Sequence, residues 1–352
     1  MTPIRVVQWA TGPVGAAQLR EVIDNPEFEL AGVFVYDPAK VGIDAGALVD
    51  QPPTGVVACN DKSAILSLNA DVVLHAASKA GAENTNTDDI VALLESGKDV
   101  ITTTSYSHLP TCGRDIRQRI TQACERGGAR FHAAGEHPGF MFERLAVGLT
   151  ALSQRVDRIT VQEFVDCSAV SERRMLVDLM GMGKPPEEIT TDSPMFKAVS
   201  SQYEQALGAA ADVLGLRLDE IRSDIETATA ETDIEVAWGT LPAGTVVTQK
   251  LSWAGYRGGR PVLAAEEFWT VTDAVAGWGV VLDGQFLVRV IVDGAPPLRV
   301  DLRIGDEGVG TAASGGQLAV AMTAVRAIPY VRQMPPGVVV PPVFGAYRWP
   351  AT

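Results

Sequence analysis

Three side chains of this sequence could exchange a proton with a substrate, and each comes directly after a predicted strand. Glu136 and His137 lie between the apolar run 129–135 and a Pro-Gly pair, while Tyr106 follows the run 99–105. Glutamate, histidine and tyrosine act as general acids or bases when a reacting group is within hydrogen-bond reach. Structural roles are also open to them: His137 could hydrogen-bond the backbone, Glu136 could cap the next helix, and a loop tyrosine such as Tyr106 more often packs than acts as an acid. They are the candidate catalytic residues.

A glycine-bearing turn near the N-terminus could hold a pyrophosphate. Residues 10–15 read Ala-Thr-Gly-Pro-Val-Gly and join an apolar, strand-like run to an alanine- and leucine-rich helical pattern. In a dinucleotide-binding turn the second glycine lets the backbone approach the pyrophosphate, and the third lets the helix pack on the strand. Gly12 and Gly15 occupy these places, and Ala10 stands where the first glycine belongs. A small residue serves there if its φ angle stays negative. The predicted phosphate-binding residues are Thr11, Gly12, Pro13, Val14 and Gly15.

Two residues near the end of the second predicted strand bear on the identity of the dinucleotide. Asp37 lies about 25 residues beyond Gly12, where a carboxylate meets the ribose hydroxyls of the adenosine. Lys40 could instead hold a 2′-phosphate, or it could be a solvated surface lysine. Asp37 favours NAD and Lys40 leaves NADP open, so the predicted cofactor is NAD(P).

Further cofactor contacts are expected from the loops 75–81, 102–110 and 133–140. Ligands of doubly wound sheets bind beyond the carboxyl ends of the strands, and these loops follow predicted strands. The residues predicted to line the nicotinamide and its ribose are Ala76, Ala77, Ser78, Thr103, Thr104 and Gly139. The four cysteines show no spacing typical of metal ligands, so no metal site is predicted.

The elements that must position these residues alternate between strands and helices over the first 150 residues. Strand patterns occur at 4–10, 28–37, 70–78, 99–105 and 129–135, with helical patterns at 15–23, 90–97 and 113–126. This alternation predicts parallel βαβ units with right-handed crossovers, which build a Rossmann-type, doubly wound parallel sheet of the α/β class.

The pattern of predicted strands and helices changes from about residue 156. Strand-like runs at 158–168, 233–241, 244–256, 266–272, 285–293 and 298–304 follow one another with helical patterns only at 171–181, 197–214 and 315–328. Strands without intervening helices predict a mainly antiparallel sheet in an α+β domain. We expect a dinucleotide-binding domain of residues 1–150, joined by the segment 315–352, and a substrate and dimerisation domain of residues 151–314. The alternation of apolar and polar residues does not decide on which face of the predicted strand 158–168 the side chain of Glu163 lies.

Composition excludes several classes of partner. The 352 residues carry a net charge of −14, with 46% hydrophobic and 20% charged residues. Such an acidic chain repels phosphate backbones and anionic lipids. Neither nucleic acid nor a membrane is therefore an expected partner. The scattered cysteines suit a reducing compartment, and the N-terminus enters a strand at once without room for a signal peptide. We expect a cytoplasmic protein that binds a small molecule.

Three segments resemble a known family. VVQWATGPVG, FVYDPAKVGIDAG and GEHPGF are similar to actinobacterial relatives of 2,4-diaminopentanoate dehydrogenase, which include the native amine dehydrogenases and carry a dihydrodipicolinate reductase N-terminal domain. The resemblance covers the first 150 residues well and the rest in layout only. It implies a dihydrodipicolinate reductase-like fold, a homodimer, an NAD(P) cofactor and reversible reductive amination of a carbonyl compound. In that reaction a carboxylate assists the attack or loss of water at the imine carbon.

The sequence departs from this family at two places. Amine-dehydrogenating members carry a glutamate where this chain has Ser105 or Tyr106, and their Asn-Pro-Gly turn reads His137-Pro138-Gly139 here, with Glu136 before it. Either Glu136 does the proton work or the reaction is not amination. Two alternatives follow: a carbonyl or alcohol oxidoreductase in which Tyr106 or His137 donates the proton, and a dinucleotide-binding sensor without turnover.

Overall fold

The structure, a computed structural model, describes residues 2–78, 83–272, 278, 286–306 and 313–350. The chain forms two compact units, Met1–Phe140 with Glu307–Pro342 and Met141–Asp306 with Val343–Thr352. The second unit therefore begins ten residues before the expected boundary, at Met141 rather than 151, and it includes the end of the tail that was assigned to the first domain. Residues 79–81 of the expected loop 75–81 and residue 285 of an expected strand lie outside the described residues.

The elements are labelled in chain order. The strands are β1 (Ile4–Trp9), β2 (Phe28–Phe34), β3 (Ala58–Cys59), β4 (Val72–His75), β5 (Asp99–Thr102), β6 (Arg130–Ala133), β7 (Arg155–Asp166), β8 (Glu220–Thr229), β9 (Ile234–Val236), β10 (Gly239–Leu241), β11 (Val246–Arg257), β12 (Arg260–Thr270), β13 (Phe286–Ala295), β14 (Leu298–Ile304) and β15 (Gly337–Val338). The helices are α1 (Pro13–Asp24), α2 (Lys62–Ser67), α3 (Glu83–Glu95), α4 (Arg114–Gly127), α5 (Val147–Leu149), α6 (Pro194–Leu214) and α7 (Gly315–Val331). There are also two π-helical turns, Met141–Ala146 and Arg174–Leu179, and four short 3-10 helices, Pro38–Lys40, Ala47–Val49, Thr150–Leu152 and Pro186–Glu188.

The described part of the first unit holds a seven-stranded sheet of order β15-β6-β5-β4-β1-β2-β3, and all of its pairs are parallel. Strands β2 and β4 flank β1, so the winding reverses between β1 and β4, where ligands of such sheets bind. One face packs against α1 and α7, and the other packs against α3 and α4. The central strands are apolar and buried on both faces, as parallel sheets require. The predicted Rossmann sheet is confirmed.

The second unit contains a six-stranded sheet of order β14-β13-β7-β12-β11-β8 within the described residues. Its pairs are antiparallel except for β7 with β12, so the prediction of a mainly antiparallel sheet is confirmed. Helix α6 crosses one face, where the Tyr203 ring stacks on Trp253 at 4.2 Å between centroids and the Trp253 Nε1–H donates to Ser200 Oγ at 2.8 Å. No described helix combines the length and the apolar character that crossing a bilayer requires.

Some elements differ from the sequence-based expectations. Strand β8 was not predicted, because it is an edge strand whose apolar positions are few and only half-buried. The run 233–241 is a short hairpin of β9 and β10 rather than one strand, and the run 171–181 holds a π-helical turn. Helix α7 continues past Pro329 to Val331 because Ile328 and Val331 are buried in the core of the first unit.

One arginine ties the end of α7 to the amino edge of the parallel sheet. Arg332 Nη2 lies 2.9 Å from Asp71 Oδ1, and its Nη1 lies 3.3 Å from Asp99 Oδ2. The Asp99 side chain is only 3% exposed, so its charge depends on bonded cations rather than on water. The Arg326–Glu21 pair involves the same helix but is largely solvated, with Arg326 63% exposed.

We expect Arg332→Met to lower the free energy of unfolding by roughly 2 kcal/mol, since it leaves a buried carboxylate with fewer charged partners. Arg326→Met should cost less than about 1 kcal/mol, as is usual for exposed ion pairs. Urea denaturation of the two variants beside the parent protein measures both values. Equal effects of the two substitutions would contradict the distinction.

Candidate functional site

A cavity of about 430 Å³ opens in the first unit at the point where the winding of the sheet reverses. It is lined by Ala10, Thr11, Gly12, Pro13, Val14, Val35, Tyr36, Asp37, Lys40, Ala76, Ala77, Ser78, Thr103, Thr104 and Val320. The predicted cofactor-binding residues are all among them except Gly15 and Gly139. The sequence did not point to Ala10 as a lining residue, nor to Val35, Tyr36 and Val320.

The first residue of the turn has an unexpected conformation. The φ angle of Ala10 is +71°, in the left-handed region, so the turn does not meet the condition of a negative φ at its first residue. The reason is a pair of hydrogen bonds: Ala10 N–H donates to Phe34 O at 2.8 Å, and the buried Gln8 Nε2 donates to Ala10 O at 3.0 Å. A left-handed alanine costs about 1–2 kcal/mol, which these bonds offset.

Two glycines of the turn have different surroundings. A β-carbon on Gly15 would lie 2.2 Å from Ala10 O, so only glycine lets α1 pack this closely on the turn. A β-carbon on Gly12 would meet nothing within 4 Å. Gly12 caps α1 without a side-chain hydrogen bond, and Pro13 fills the first turn. The backbone beside Gly12 therefore opens onto the cavity at a helix N-terminus, an arrangement that binds phosphate.

Asp37 and Lys40 line the cavity together at the end of β2. Asp37 is exposed, and its carboxylate accepts a hydrogen bond from Ala39 N–H at 2.9 Å, which caps the short turn Pro38–Lys40. The Lys40 ammonium reaches back to the glycine turn, where it donates to Thr11 O at 2.8 Å and to Thr11 Oγ1 at 3.2 Å. A negative and a positive group thus border the same space.

The ends of β4 and β5 form another wall of the cavity. Thr104 Oγ1 donates to Ala77 O at 3.0 Å, and Thr104 N–H donates to Thr102 Oγ1 at 3.0 Å, so the two loops are bonded to each other. His75 Nδ1 lies 3.0 Å from the same Thr102 hydroxyl. Burial lowers the pKa of His75 to about 3, so this ring is neutral and serves the packing of the wall.

The three candidate catalytic residues do not line this cavity. Tyr106 is 5% exposed, its hydroxyl lies 2.9 Å from Thr87 Oγ1, and its ring meets Phe131 edge-on. Glu136 is buried and His137 is half-buried in the turn after β6, where Phe140 N–H donates to Glu136 O at 3.0 Å. The turn places both residues at the carboxyl edge of the same sheet, next to the end of β5 in the strand order.

That turn also explains the position of Gly139. Its φ angle is +128°, and a β-carbon there would lie 2.8 Å from Gly135 N. Gly139 therefore shapes the turn that carries Glu136 and His137, whereas the sequence predicted a backbone contact of Gly139 with the cofactor. That contact stays a prediction.

In the second unit the side chain of Glu163 is buried, whereas the sequence pattern did not decide which face of its strand it occupies. Glu163 on β7 is 4% exposed, accepts a hydrogen bond from Tyr203 Oη at 2.9 Å, and stands in register with Glu267 of β12. Burial, aided by the charge of Glu143, raises the pKa of Glu163 to about 8, against the lowering effect of the Tyr203 bond. Burial therefore favours the protonated form of Glu163. Among the residues described, no three His, Cys, Asp or Glu side chains are placed to hold a metal ion.

Both the sequence and the fold of this chain are similar to those of dehydrogenases. The sequence is 30% identical over 343 residues to an amine dehydrogenase of Streptomyces virginiae, an alignment that covers 95% of this chain and 94% of the relative. The structure is similar to that of an amine dehydrogenase from Mycobacterium smegmatis, with a TM-score of 0.70, 18% identity and coverage of 96% and 94% of the two chains. A probable dehydrogenase from Thermotoga maritima follows, with a TM-score of 0.58, 12% identity and coverage of 95% and 91%. No protein-family model matches the sequence.

The buried Glu163 gives the stability of this protein a distinct pH dependence. Its folded pKa of about 8 lies above the ordinary value of 4.5, so the folded state binds more protons between these values. Its contribution to stability is complete below about pH 4.5 and is lost as the pH rises towards 8, with a limiting slope of about 1.4 kcal/mol per pH unit.

We expect Glu163→Gln, which keeps the shape without the charge, to lose less stability than the parent protein between pH 5 and pH 8. Melting temperatures across this range measure the difference. Glu187→Gln, at an exposed position, is the control and should follow the parent curve. Parallel curves for the parent and Glu163→Gln would show that burial does not hold this proton.

Proposed function

Because the chain belongs to the amine dehydrogenase family, we propose that this dehydrogenase catalyses the NAD(P)-dependent, reversible reductive amination of a small carbonyl compound. One observation carries the proposal: a helix N-terminus without a side-chain cap opens, at Gly12, onto a cavity at the reversal point of a parallel sheet. This combination is the usual pyrophosphate site of dinucleotide-binding folds.

The residues around the cavity fit a nicotinamide dinucleotide. The N–H groups at the start of α1 would hold the pyrophosphate, and the missing β-carbon of Gly12 leaves room for it. Asp37 would accept hydrogen bonds from the adenosine ribose, and the Thr103 and Thr104 loop would border the nicotinamide. When bound, the nicotinamide ring supplies or accepts the hydride. The chain holds the reactants in position and handles the proton.

Support for each of the two dinucleotides comes from a different residue. The Asp37 carboxylate is exposed and keeps acceptor capacity for ribose hydroxyls, which favours NAD. The Lys40 ammonium lies at the glycine turn and could bind a 2′-phosphate, which favours NADP. The proposal therefore covers both dinucleotides, and binding measurements with each of them decide the preference.

We assign the proton transfer to Glu136. The place of the glutamate found in amine-dehydrogenating relatives is taken here by Ser105 or Tyr106, and the Tyr106 hydroxyl is engaged with Thr87. The buried side chain of Glu136 follows the C-terminal end of β6, and the cavity also lies where strands of this parallel sheet end. A carboxylate there would activate water or ammonia at the reacting carbon.

A second candidate function rests on that same missing glutamate. An enzyme without it could reduce a ketone to an alcohol, with His137 as the proton donor, because His137 is half-buried beside Glu136. Ammonia is a substrate of the first reaction and has no part in the second. Dependence on ammonia therefore separates the two functions.

We also propose that the protein is a homodimer and that it is located in the cytoplasm. The family resemblance supports a homodimer, and the scattered spacing of the four cysteines supports a reducing, cytoplasmic location. Light scattering of the purified protein and fractionation of the source cells would test them.

The decisive assay follows NADH and NADPH oxidation with a panel of small ketones and aldehydes, with and without ammonia. We expect oxidation that requires ammonia, and in Glu136→Gln a fall in kcat of about 10²-fold or more with little change in the KM of the dinucleotide. Glu125→Gln, at an exposed position on α4, is the matched control. Turnover without ammonia would select the second candidate, and saturable binding without any turnover would select a sensor.

Two glycine substitutions should separate fold from binding in the turn. Gly15→Ala should lower the free energy of unfolding by about 2 kcal/mol, because its β-carbon meets the Ala10 carbonyl. Gly12→Ala should change stability by less than about 1 kcal/mol, yet weaken NAD(P)H binding by about tenfold or more, since its methyl group enters the pyrophosphate space. Urea denaturation and fluorescence titration measure the two effects. Unchanged binding in Gly12→Ala would contradict the proposed pyrophosphate position.

A further inference from the structure

Tyr36 is an aromatic residue that lines the cavity and remains 45% exposed. It stands between the buried end of β2 and Asp37. Large apolar rings at the surface of a protein often mark binding positions when they border a cavity. The contacts of this ring show which part of a ligand it could meet.

The Tyr36 hydroxyl is held from two sides. Trp9 Nε1–H donates to Tyr36 Oη at 2.9 Å, and Tyr36 Oη donates to Asp89 Oδ2 at 3.0 Å. Asp89 is 5% exposed and forms an ion pair with Lys62, whose Nζ lies 5.9 Å from the centre of the Trp9 ring. The Phe34 ring meets Tyr36 edge-on with 5.0 Å between centroids. An exposed side chain is thus fixed by a chain of buried groups.

This fixation restricts the role that Tyr36 can have. Burial and the neighbouring Asp89 raise the pKa of the hydroxyl to about 12, against the lowering effect of the Trp9 bond, so the group stays neutral. Its one proton is donated to Asp89, so it is not available to a ligand. What Tyr36 offers to the cavity is the apolar surface of an immobilised ring, which a planar ligand can cover at little cost in side-chain entropy.

We infer that the Tyr36 ring, whose hydroxyl is bonded to Trp9 and Asp89, is the surface on which the adenine base of the dinucleotide stacks. This inference rests on the proposed function, because it presumes that the cavity binds a dinucleotide. Tyr36 directly precedes Asp37, which is assigned to the adenosine ribose, so the base attached to that ribose is the planar group nearest to it.

Three variants and two ligands test the assignment. Tyr36→Leu keeps an apolar residue without a π face, Tyr36→Phe keeps the ring without the hydroxyl, and Tyr330→Leu removes a 68% exposed tyrosine of the first unit that does not line the cavity. Each is titrated with the dinucleotide that the parent protein binds, NADH or NADPH, and with reduced nicotinamide mononucleotide, which lacks the adenine. Melting temperatures check that each variant is folded.

We expect Tyr36→Leu to raise the Kd of the dinucleotide by roughly 5- to 50-fold, the effect of losing one base-stacking contact, and to leave mononucleotide binding unchanged. Tyr36→Phe should stay within about threefold of the parent Kd, because the stacking surface remains. Tyr330→Leu should bind like the parent. An independent measurement needs no variant: nuclear Overhauser effects between the Tyr36 ring protons and the adenine H2 or H8 proton of the bound dinucleotide.

An unchanged dinucleotide Kd in folded Tyr36→Leu would overturn the stacking assignment and leave the proposed function standing. Equal losses for dinucleotide and mononucleotide would also overturn it, since they would put Tyr36 beside the nicotinamide. If Tyr36→Leu does not fold, the presence or absence of the Overhauser effects decides. A parent protein that binds neither NADH nor NADPH would overturn both the proposed function and this inference.

Discussion

The cavity depends on the close contact between the Ala10 carbonyl and the backbone of Gly15. A β-carbon at Gly15 would lie 2.2 Å from that oxygen, so α1 can start directly above β1 only because residue 15 has no side chain. The same carbonyl accepts the Gln8 amide, which is itself bonded to Gln18 of α1 at 3.1 Å. This buried polar bridge fixes the entry angle of the helix. It also holds Ala10 in a conformation that the residue would not adopt by itself.

The parallel sheet supplies the other walls of the cavity because its strands end at one edge. Hydrogen bonds also connect the segments beyond the strands: Ala76 N–H donates to Trp9 O at 2.9 Å, and the Thr104 hydroxyl donates to Ala77 O, which links the loop after β5 to the loop after β4. Helix α7, remote in sequence, adds Val320 to the lining. The lining therefore combines segments that are brought together by the sheet rather than by local sequence.

Three carboxyl groups of this protein have very different surroundings. Asp37 is exposed and caps a turn, whereas Glu163 is buried on β7 beside Tyr203, and burial raises the pKa of its carboxyl group. Glu136 lies buried in a turn at the edge of the parallel sheet. Proton transfer needs a group whose charge can change within reach of the substrate. The family resemblance implies a glutamate where this chain has Ser105 or Tyr106, so the proposed reaction depends on the environment of Glu136.

The sequence by itself determined the alternation of strands and helices, the parallel sheet, the mainly antiparallel second sheet and most of the cavity lining. These features can be predicted from local patterns, because buried strands, helices and turns each have a characteristic order of apolar residues and glycines in the sequence. Only the tertiary structure decided the left-handed Ala10, the engagement of Tyr106 with Thr87, the burial of Glu163 and the fixed ring of Tyr36. Each depends on partners more than ten residues away in the chain, such as Phe34 for Ala10 or Asp89 for Tyr36, and no local pattern encodes such a partner.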